Sequence, residues 1–463
     1  MSELALPEGW AEALFTDCIE ILDNQRKPIN NTERQSRILG KDESELYPYY
    51  GATGQAGWID GYLFNEELIA LGEDGVPFLD ISKHKAYMLR GKTWVNNHAH
   101  VLKAVEGVAL NKYLLHFFNS IDYLGYVNGG TRLKLTQINM KKIPVILPSL
   151  NEQKEIVILL NTHLTTVSQI QARLDAIPKI IENFRQSVLN DAVTGKLTEE
   201  WRKDKRYETL DSYEIPASWT VLSIEEVADV KGGKRLPKGE KLVEFDTGYP
   251  YIRAGQLKLG TVVNTEEARS SQKYLLAETQ KQIESYIVKE NDAYITIVGA
   301  SIGDAGLIPK SSDGANLTEN AAKLTNYKKE LNPVFLSFWL RSVCIQHEIK
   351  LQTKSAAQGK LALHRIKSLP FVYPTYEEQN KIVQSVEQFL AHADQIEKSV
   401  ATAKARVDNL TQSILHQAFT GNLTAEWREQ NPDLISGENC AEALLAKIKS
   451  EKQGISKKKS GKG

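Results

Sequence analysis

The sequence predicts an α+β protein: two globular mixed α/β domains separated by an antiparallel two-helix coiled coil, with an internal pseudo-twofold repeat. Three observations carry this. Residues 144–202 recur without a gap at 370–428, every landmark displaced by the same number of residues, and roughly a third of the aligned positions are identical. Within each copy, apolar residues alternate at spacings of three and four. Outside the copies, at 11–143 and 220–369, short β-branched and aromatic runs are separated by Gly and Asn turns, the pattern of twisted sheets with a few helices.

In chain order, the boundaries are 1–147 for the N-terminal domain, 148–202 for the first scaffold helix and its Trp-Arg segment, and 203–214 for a linker. Next come 215–373 for the C-terminal domain, 374–428 for the second scaffold helix, and 429–463 for a further helix (440–452) and a basic tail expected to be disordered. Each half opens with an apolar residue, Pro and, three residues on, Trp: Leu6 to Trp10, and Ile215 to Trp219. Both domains contain Tyr-Pro-Tyr (47–49 and 249–251) and a strand-like run leading to glycines, 68–75 and 293–303.

The scaffold helices start at capping boxes, Ser149-x-x-Glu152 and Thr375-x-x-Glu378. In each, the hydroxyl accepts the third residue's amide and the carboxylate reaches back to the cap's own amide. Pro148 and Pro374 block extension backwards. The heptad seam reads Val167, Ile170, Leu174, Ile177, Ile181, Phe184, Val188 in the first helix. In the second it reads Ala393, Ile396, Val400, Ala403, Val407, Leu410, Ile414. A stripe this narrow suits one partner helix. Forty residues of helix span about 60 Å, enough to act as a rod. Pro178 lies within the first seam and is expected to kink or interrupt it, and Gly195 and Gly421 suit the left-handed residue after a helix end.

The composition excludes several classes. No apolar run is long enough to cross a bilayer, and the N-terminus lacks a basic-then-apolar leader, so a cytoplasmic protein is expected. Cys18, Cys344 and Cys440 are too scattered for a zinc site. The formal net charge is −1, so any nucleic-acid grip must come from local patches or a partner. Gly299-Ala300-Ser301-Ile302-Gly303 matches a nucleophile elbow, but the turn formers that follow it argue against the helix an elbow requires. His98 and His100 lie two apart, as a metal pair on one strand face would, without a third ligand; they fit better as supports of a binding loop. Asn332-Pro333 reads as a helix cap with proline at the first helical position. No catalytic residue and no metal site is expected.

Basic and polar loops remain. Lys231 to Lys238 packs four cations around two glycines, a shape that approaches phosphates closely. Gly129 to Lys134 and Lys354 to Lys360 take matching places in the two halves, each shortly before the proline that starts the scaffold copy. Arg, Gln and Asn make paired hydrogen bonds to purine edges. The candidate DNA-binding residues are Thr53, Gln55, Thr131, Arg132 and Lys134 in the first half. In the second they are Lys234, Arg235, Arg253, Gln256, Ser301, Lys354, Gln358 and Lys360.

Pro-x-x-x-Pro-x-x-x-Glu-Gln before each long helix, with Thr-Gly-x-Leu-Thr-x-Glu-Trp-Arg after it, resembles the specificity subunits of type I restriction-modification systems. The segment from Ala405 to about 449 is most similar to the enteric K and B subfamily. The resemblance implies two target-recognition domains, each reading one half of a bipartite, asymmetric site on double-stranded DNA. It implies docking of two methyltransferase subunits and, through them, restriction subunits. S-adenosylmethionine, ATP and Mg2+ would then belong to those partners, with no cofactor on this chain. The rival readings are the specificity subunit of a fused restriction–methylation (type IIB-like) enzyme and a non-DNA coiled-coil adaptor.

Overall fold

The computed structural model describes residues 6–210, 213–354 and 359–460, with the side chains of Lys354 and of 451–460 outside the description. The chain divides into two compact units, one of residues 1–175 with 401–463, the other of 176–400. Both dividing points fall inside the long helices Leu150–Val193 and Tyr376–Phe419, so each unit holds one globular segment and a part of each helix. The helix ends are core material. Ile156, Leu160, Leu415 and Ala418 are buried in the first core, and Leu189, Val193, Ile382 and Val386 in the second.

The same topology is built twice. In the first unit, strands Ile19–Ile21, Ala99–Ala104, Leu68–Gly72 and Ala86–Leu89 form an antiparallel sheet in that order. In the second unit, Asp229–Gly232, Ala321–Thr325, Ala293–Thr296 and Ala305–Leu307 do the same. A second sheet follows in each, centred on a parallel pair: Tyr47–Gly51 with Lys92–Val95, and Pro250–Ile252 with Asn316–Leu317. The two Tyr-Pro-Tyr motifs fall on these equivalent strands, and the runs beginning at Leu68 and Ala293 are the equivalent third strands. A helix backs each first sheet, Asn111–Ser120 and Pro333–Arg341. Asn332 caps the latter as expected, its side chain accepting from the amides of Val334 and Phe335.

The scattered motifs converge on one buried carboxylate per unit. In the first, Glu152 accepts from Trp10 Nε1 (2.8 Å), Thr424 Oγ1 (2.6 Å) and Arg428 Nη1 (2.6 Å). In the second, Glu378 accepts from Trp219 Nε1 (2.9 Å), Thr198 Oγ1 (2.7 Å) and Arg202 Nη1 (2.9 Å). The glutamate that begins one scaffold copy is thus held by the Thr and Arg that end the other. This corrects half of the capping-box expectation. The hydroxyls do accept, Ser149 Oγ from Glu152 N and Thr375 Oγ1 from Glu378 N. The carboxylates, however, serve the Trp, Thr and Arg donors, because a buried carboxylate is held more strongly by a guanidinium plus two further donors than by one backbone amide.

The neighbouring residues complete each lock. Gln153 donates to Val108 O and Pro148 O and accepts from Leu110 N. Gln379 donates to Pro374 O and accepts from Asn332 N. Gly195 (φ 73°) and Gly421 (φ 80°) occupy the left-handed region, and a Cβ at either would stand 2.4 Å from Pro216 or Pro7 Cγ. Glycine is required there twice over, by φ and by space.

The long helices touch within each unit. Gln171 bonds Asp408 and Lys404 pairs with Asp175 in the first; Arg185 pairs with Asp394 and Glu397, and Phe184 meets Phe389 edge-on, in the second. The seam needs correction in detail. The series Val167, Leu174, Ile181, Val188 and Ala393, Val400, Val407, Ile414 is buried or half-buried. Of the intervening series, Ile177 and Ala403 are half-buried, but Ile170, Phe184, Ile396 and Leu410 are exposed. A helix facing a single partner is covered over too narrow an arc to enclose every layer.

Two further expectations are corrected. Pro178 does not interrupt its helix, which is continuous from Leu150 to Val193. The proline is exposed, where water can take the carbonyl it leaves unbonded. The C-terminal helix runs over Ala441–Ser460, past the expected end, because Lys, Gln and Ser tolerate helix well enough to extend one already docked. Ala441 and Leu445 fix its start in the first core.

Candidate nucleic-acid interface

In the first unit the candidate loops gather at one end of the sheets. Asn128 and Lys134 exchange both backbone hydrogen bonds (3.0 and 2.8 Å), closing the 129–133 loop tightly. Gly129 (φ 124°) makes that closure feasible, since a Cβ there would lie 2.4 Å from Arg132 O. Thr131, Arg132 and Lys134 are exposed on it. Thr53 and Gln55 are exposed at the hairpin joining Tyr47–Gly51 to Gly54–Ile59. The two groups border one turn, 72–75: Ala52 O is the nearest backbone to a Cβ built on Gly72, and the Arg132 guanidinium to one on Gly75.

A charged network underlies the loop. Asp74 Oδ1 accepts from His98 Nδ1 (2.8 Å) and Arg132 Nη2 (2.7 Å). Glu73 pairs with Lys134 (3.0 Å) and Arg26 (2.9 Å). Buried His100 bonds Asp23 (2.6 Å) and Leu135 O (2.8 Å). Burial pushes the Asp23 carboxyl up, but the bond and charge of His100, with the Val101 amide and Arg26, hold it below the usual carboxylate range. The two histidines therefore brace the loop through carboxylates, and His98 sits in the turn before its strand. Among the described residues, no cluster of His, Cys, Asp or Glu could hold a metal ion.

The second unit assembles corresponding segments. Lys234 N bonds Leu317 O, Thr318 N bonds Ile252 O, Ile297 N bonds Asn320 O and Leu361 N bonds Ile297 O. The loops after 232, 252, 296 and 317, and the one before 361, thus meet at one end. Lys234, Arg235 and Lys360 are exposed there. Arg235 pairs with Glu319 at 2.8 Å. Burial pushes the Glu319 carboxyl up, but the hydrogen bond from Arg235 and its other bonds hold it below the usual range.

Of the other second-half candidates, Gln256 is corrected, while Arg253 and Ser301 are half-buried. Gln256 is 0% exposed; its Oε1 accepts from Arg253 N and its Nε2 donates to Gln272 Oε1, so it caps its own turn and cannot meet a base. Arg253 is half-buried and donates to Ser271, which ties it to the 265–271 loop. Ser301 is half-buried in a hairpin turn between strands Ala293–Thr296 and Ala305–Leu307, with no helix after it, which removes the nucleophile elbow. Gln358 and the side chain of Lys354 lie outside the described residues.

Sequence reasoning missed Asp74, Glu73 and Glu319, the acidic partners of the loop cations. It also missed Lys92, whose ammonium lies 5.5 and 4.9 Å over the Tyr47 and Tyr62 rings. The signal for Lys92 was its strand position beside aromatic neighbours. For the acids there was none, since the partners are distant in sequence.

Comparison with known proteins agrees with this duplicated plan. The family model described as the type I restriction modification DNA specificity domain matches residues 7–179 and again 216–403. The chain belongs to that family. It is 38% identical to the type I restriction enzyme EcoBI specificity subunit of Escherichia coli over 361 residues, covering 75% of this chain and 74% of that one. It is 33% identical to the EcoKI specificity subunit of Escherichia coli K12, covering 76% and 74%. Among solved structures, the HsdS subunit from Thermoanaerobacter tengcongensis matches with a TM-score of 0.59 at 15% identity, over 91% of this chain and 99% of that one. At that identity the likeness concerns the fold. No helix among the described residues is long and apolar enough to cross a membrane.

Proposed function

We propose that this specificity-family chain reads a bipartite, asymmetric site on double-stranded DNA, one half with each unit, and has no catalytic chemistry of its own. The observation that carries the reading is one topology built twice, with its loops gathered at the same end each time but bearing different side chains. Equal frameworks present equivalent readers, and unlike loops make the half-sites differ. Exposed Thr53, Gln55, Thr131, Arg132 and Lys134 are the readers proposed for the first half-site. Lys234, Arg235 and Lys360 are those for the second, joined by Lys354 and Gln358 on sequence grounds.

The two long helices, in this reading, pair antiparallel as a short coiled coil and set the gap between half-sites. The seven-residue series of buried positions and the cross-helix pairs Lys404–Asp175 and Arg185–Asp394 support it. The two scaffold copies offer equivalent docking faces to two methyltransferase subunits, through which restriction subunits join. S-adenosylmethionine, ATP and Mg2+ belong to those partners, and the complex works in the cytoplasm. Relatives named as type I specificity subunits favour this over a fused restriction–methylation enzyme.

Sequencing methylated adenines in a host that carries this chain with its methyltransferase tests the reading. The expected result is a single motif of two unlike blocks around a gap of unspecified bases. An unbroken palindrome, or methylation without sequence preference, would contradict it.

A further inference from the structure

We propose that Asp74 is a positioning residue that sets base discrimination through Arg132; this rests on the function proposed above. The Arg132 side chain is 63% exposed and that of Asp74 only 18%. Among the described residues, the Nη2 contact to Asp74 at 2.7 Å is the one hydrogen bond the guanidinium makes. The guanidinium lies along Gly75, Nη2 and Nε standing 3.4 and 3.5 Å from a Cβ built there, on a loop whose backbone is closed by the Asn128–Lys134 pair. The carboxylate is itself held, because His98 Nδ1 donates to the same oxygen at 2.8 Å and Leu135 N is bonded to the neighbouring Glu73 O.

Two consequences follow from this geometry. A guanidinium fixed before binding does not lose its rotamer freedom on the DNA, and it keeps donors free for a base edge with two acceptors, such as guanine O6 and N7. The adjacent negative charge also offsets its attraction to phosphate, so Arg132 grips DNA of the wrong sequence less. Asp74 thereby raises specific binding and lowers nonspecific binding, whereas a loop arginine without a partner would favour any phosphate within reach. Lys134, paired with Glu73, has no fork to present and contributes charge alone.

The test uses the full chain with its methyltransferase subunits, selected against random-sequence duplexes and then titrated with single-base variants over a salt series. Asp74→Asn preserves shape and removes the charge. It is expected to cut discrimination at one base position about tenfold, roughly 1.4 kcal/mol, while nonspecific affinity rises and its salt dependence steepens by up to about one phosphate contact. His98→Ala frees the carboxylate without removing its charge, so it should lower discrimination without steepening the salt dependence. Melting temperatures near the parent's show that both variants fold. In an Arg132→Ala background, Asp74→Asn should change discrimination no further.

If Asp74→Asn leaves both discrimination and salt slope unchanged while Arg132→Ala still erases a base preference, the inference is overturned and the base reader stands. If Arg132→Ala alters no base preference, both the reader and the inference fail. Absence of any sequence preference in the parent complex would instead remove the proposed function.

Discussion

Replacing Arg202 with alanine should destabilise the second unit by about 3–5 kcal/mol, the cost of leaving a buried carboxylate without its cation. Arg202 and Glu378 side chains are 3% and 4% exposed, so water cannot substitute for the lost guanidinium. Trp219 Nε1 and Thr198 Oγ1 would remain on Glu378, but neither carries charge. Arg202 also ties down Gly195 O at 2.6 Å and the Tyr207 hydroxyl at 2.7 Å, so the segment after the first long helix loosens with it. Native-state hydrogen exchange reads this directly. Amides of Ala293–Thr296 should lose about two to three and a half orders of magnitude of protection, while those of Leu68–Gly72 in the other unit keep theirs. A loss below about tenfold would mean that the Trp–Glu–Arg cluster is not what closes the unit.

Arg132→Ala has the next largest expected effect, now on DNA binding. It should weaken the cognate site by about 1–3 kcal/mol and relax one base position of one half-site. Lys134→Ala, two residues away, should weaken all sequences alike and lower the salt slope by less than about one, because Glu73 already offsets part of its charge. The contrast arises because a guanidinium can satisfy two acceptors on a base edge, whereas an ammonium acts as a point charge. Competition binding with single-base variants of the selected duplex distinguishes the two. Full retention of discrimination by Arg132→Ala would take that residue out of the interface.

Much of the framework is legible before any coordinates. The repeated scaffold, the capping hydroxyls of Ser149 and Thr375, the Asn332 cap and the strand-like runs from Leu68 and Ala293 all depend on neighbours within a few residues, and local chemistry writes itself into local sequence. The roles of Glu152 and Glu378 did not. Their partners come from three segments far apart in the chain, and a glutamate three residues after a serine looks the same whether it caps a helix or receives a distant arginine. Gln256 failed for a similar reason, since a glutamine in a turn can cap that turn or face outward, and only burial separates the two. The sheet order was illegible because strands of two to six residues carry too few alternations to fix register. Ile170, Phe184, Ile396 and Leu410 are exposed although they fall on the apolar stripe, because periodicity marks which side of a helix is apolar, not how much of it is covered.

The central claim is that continuous helices act as the ruler between two independent readers. The most direct measurement inserts four helix-forming residues near Ala172, which lengthens that helix by about 6 Å, and selects the resulting complex on random duplex DNA. At 3.4 Å per base pair along the duplex, the gap should change by about one or two base pairs while both half-site sequences stay as they were. Recovery of the parental gap, or a change in the half-sites themselves, would contradict the account.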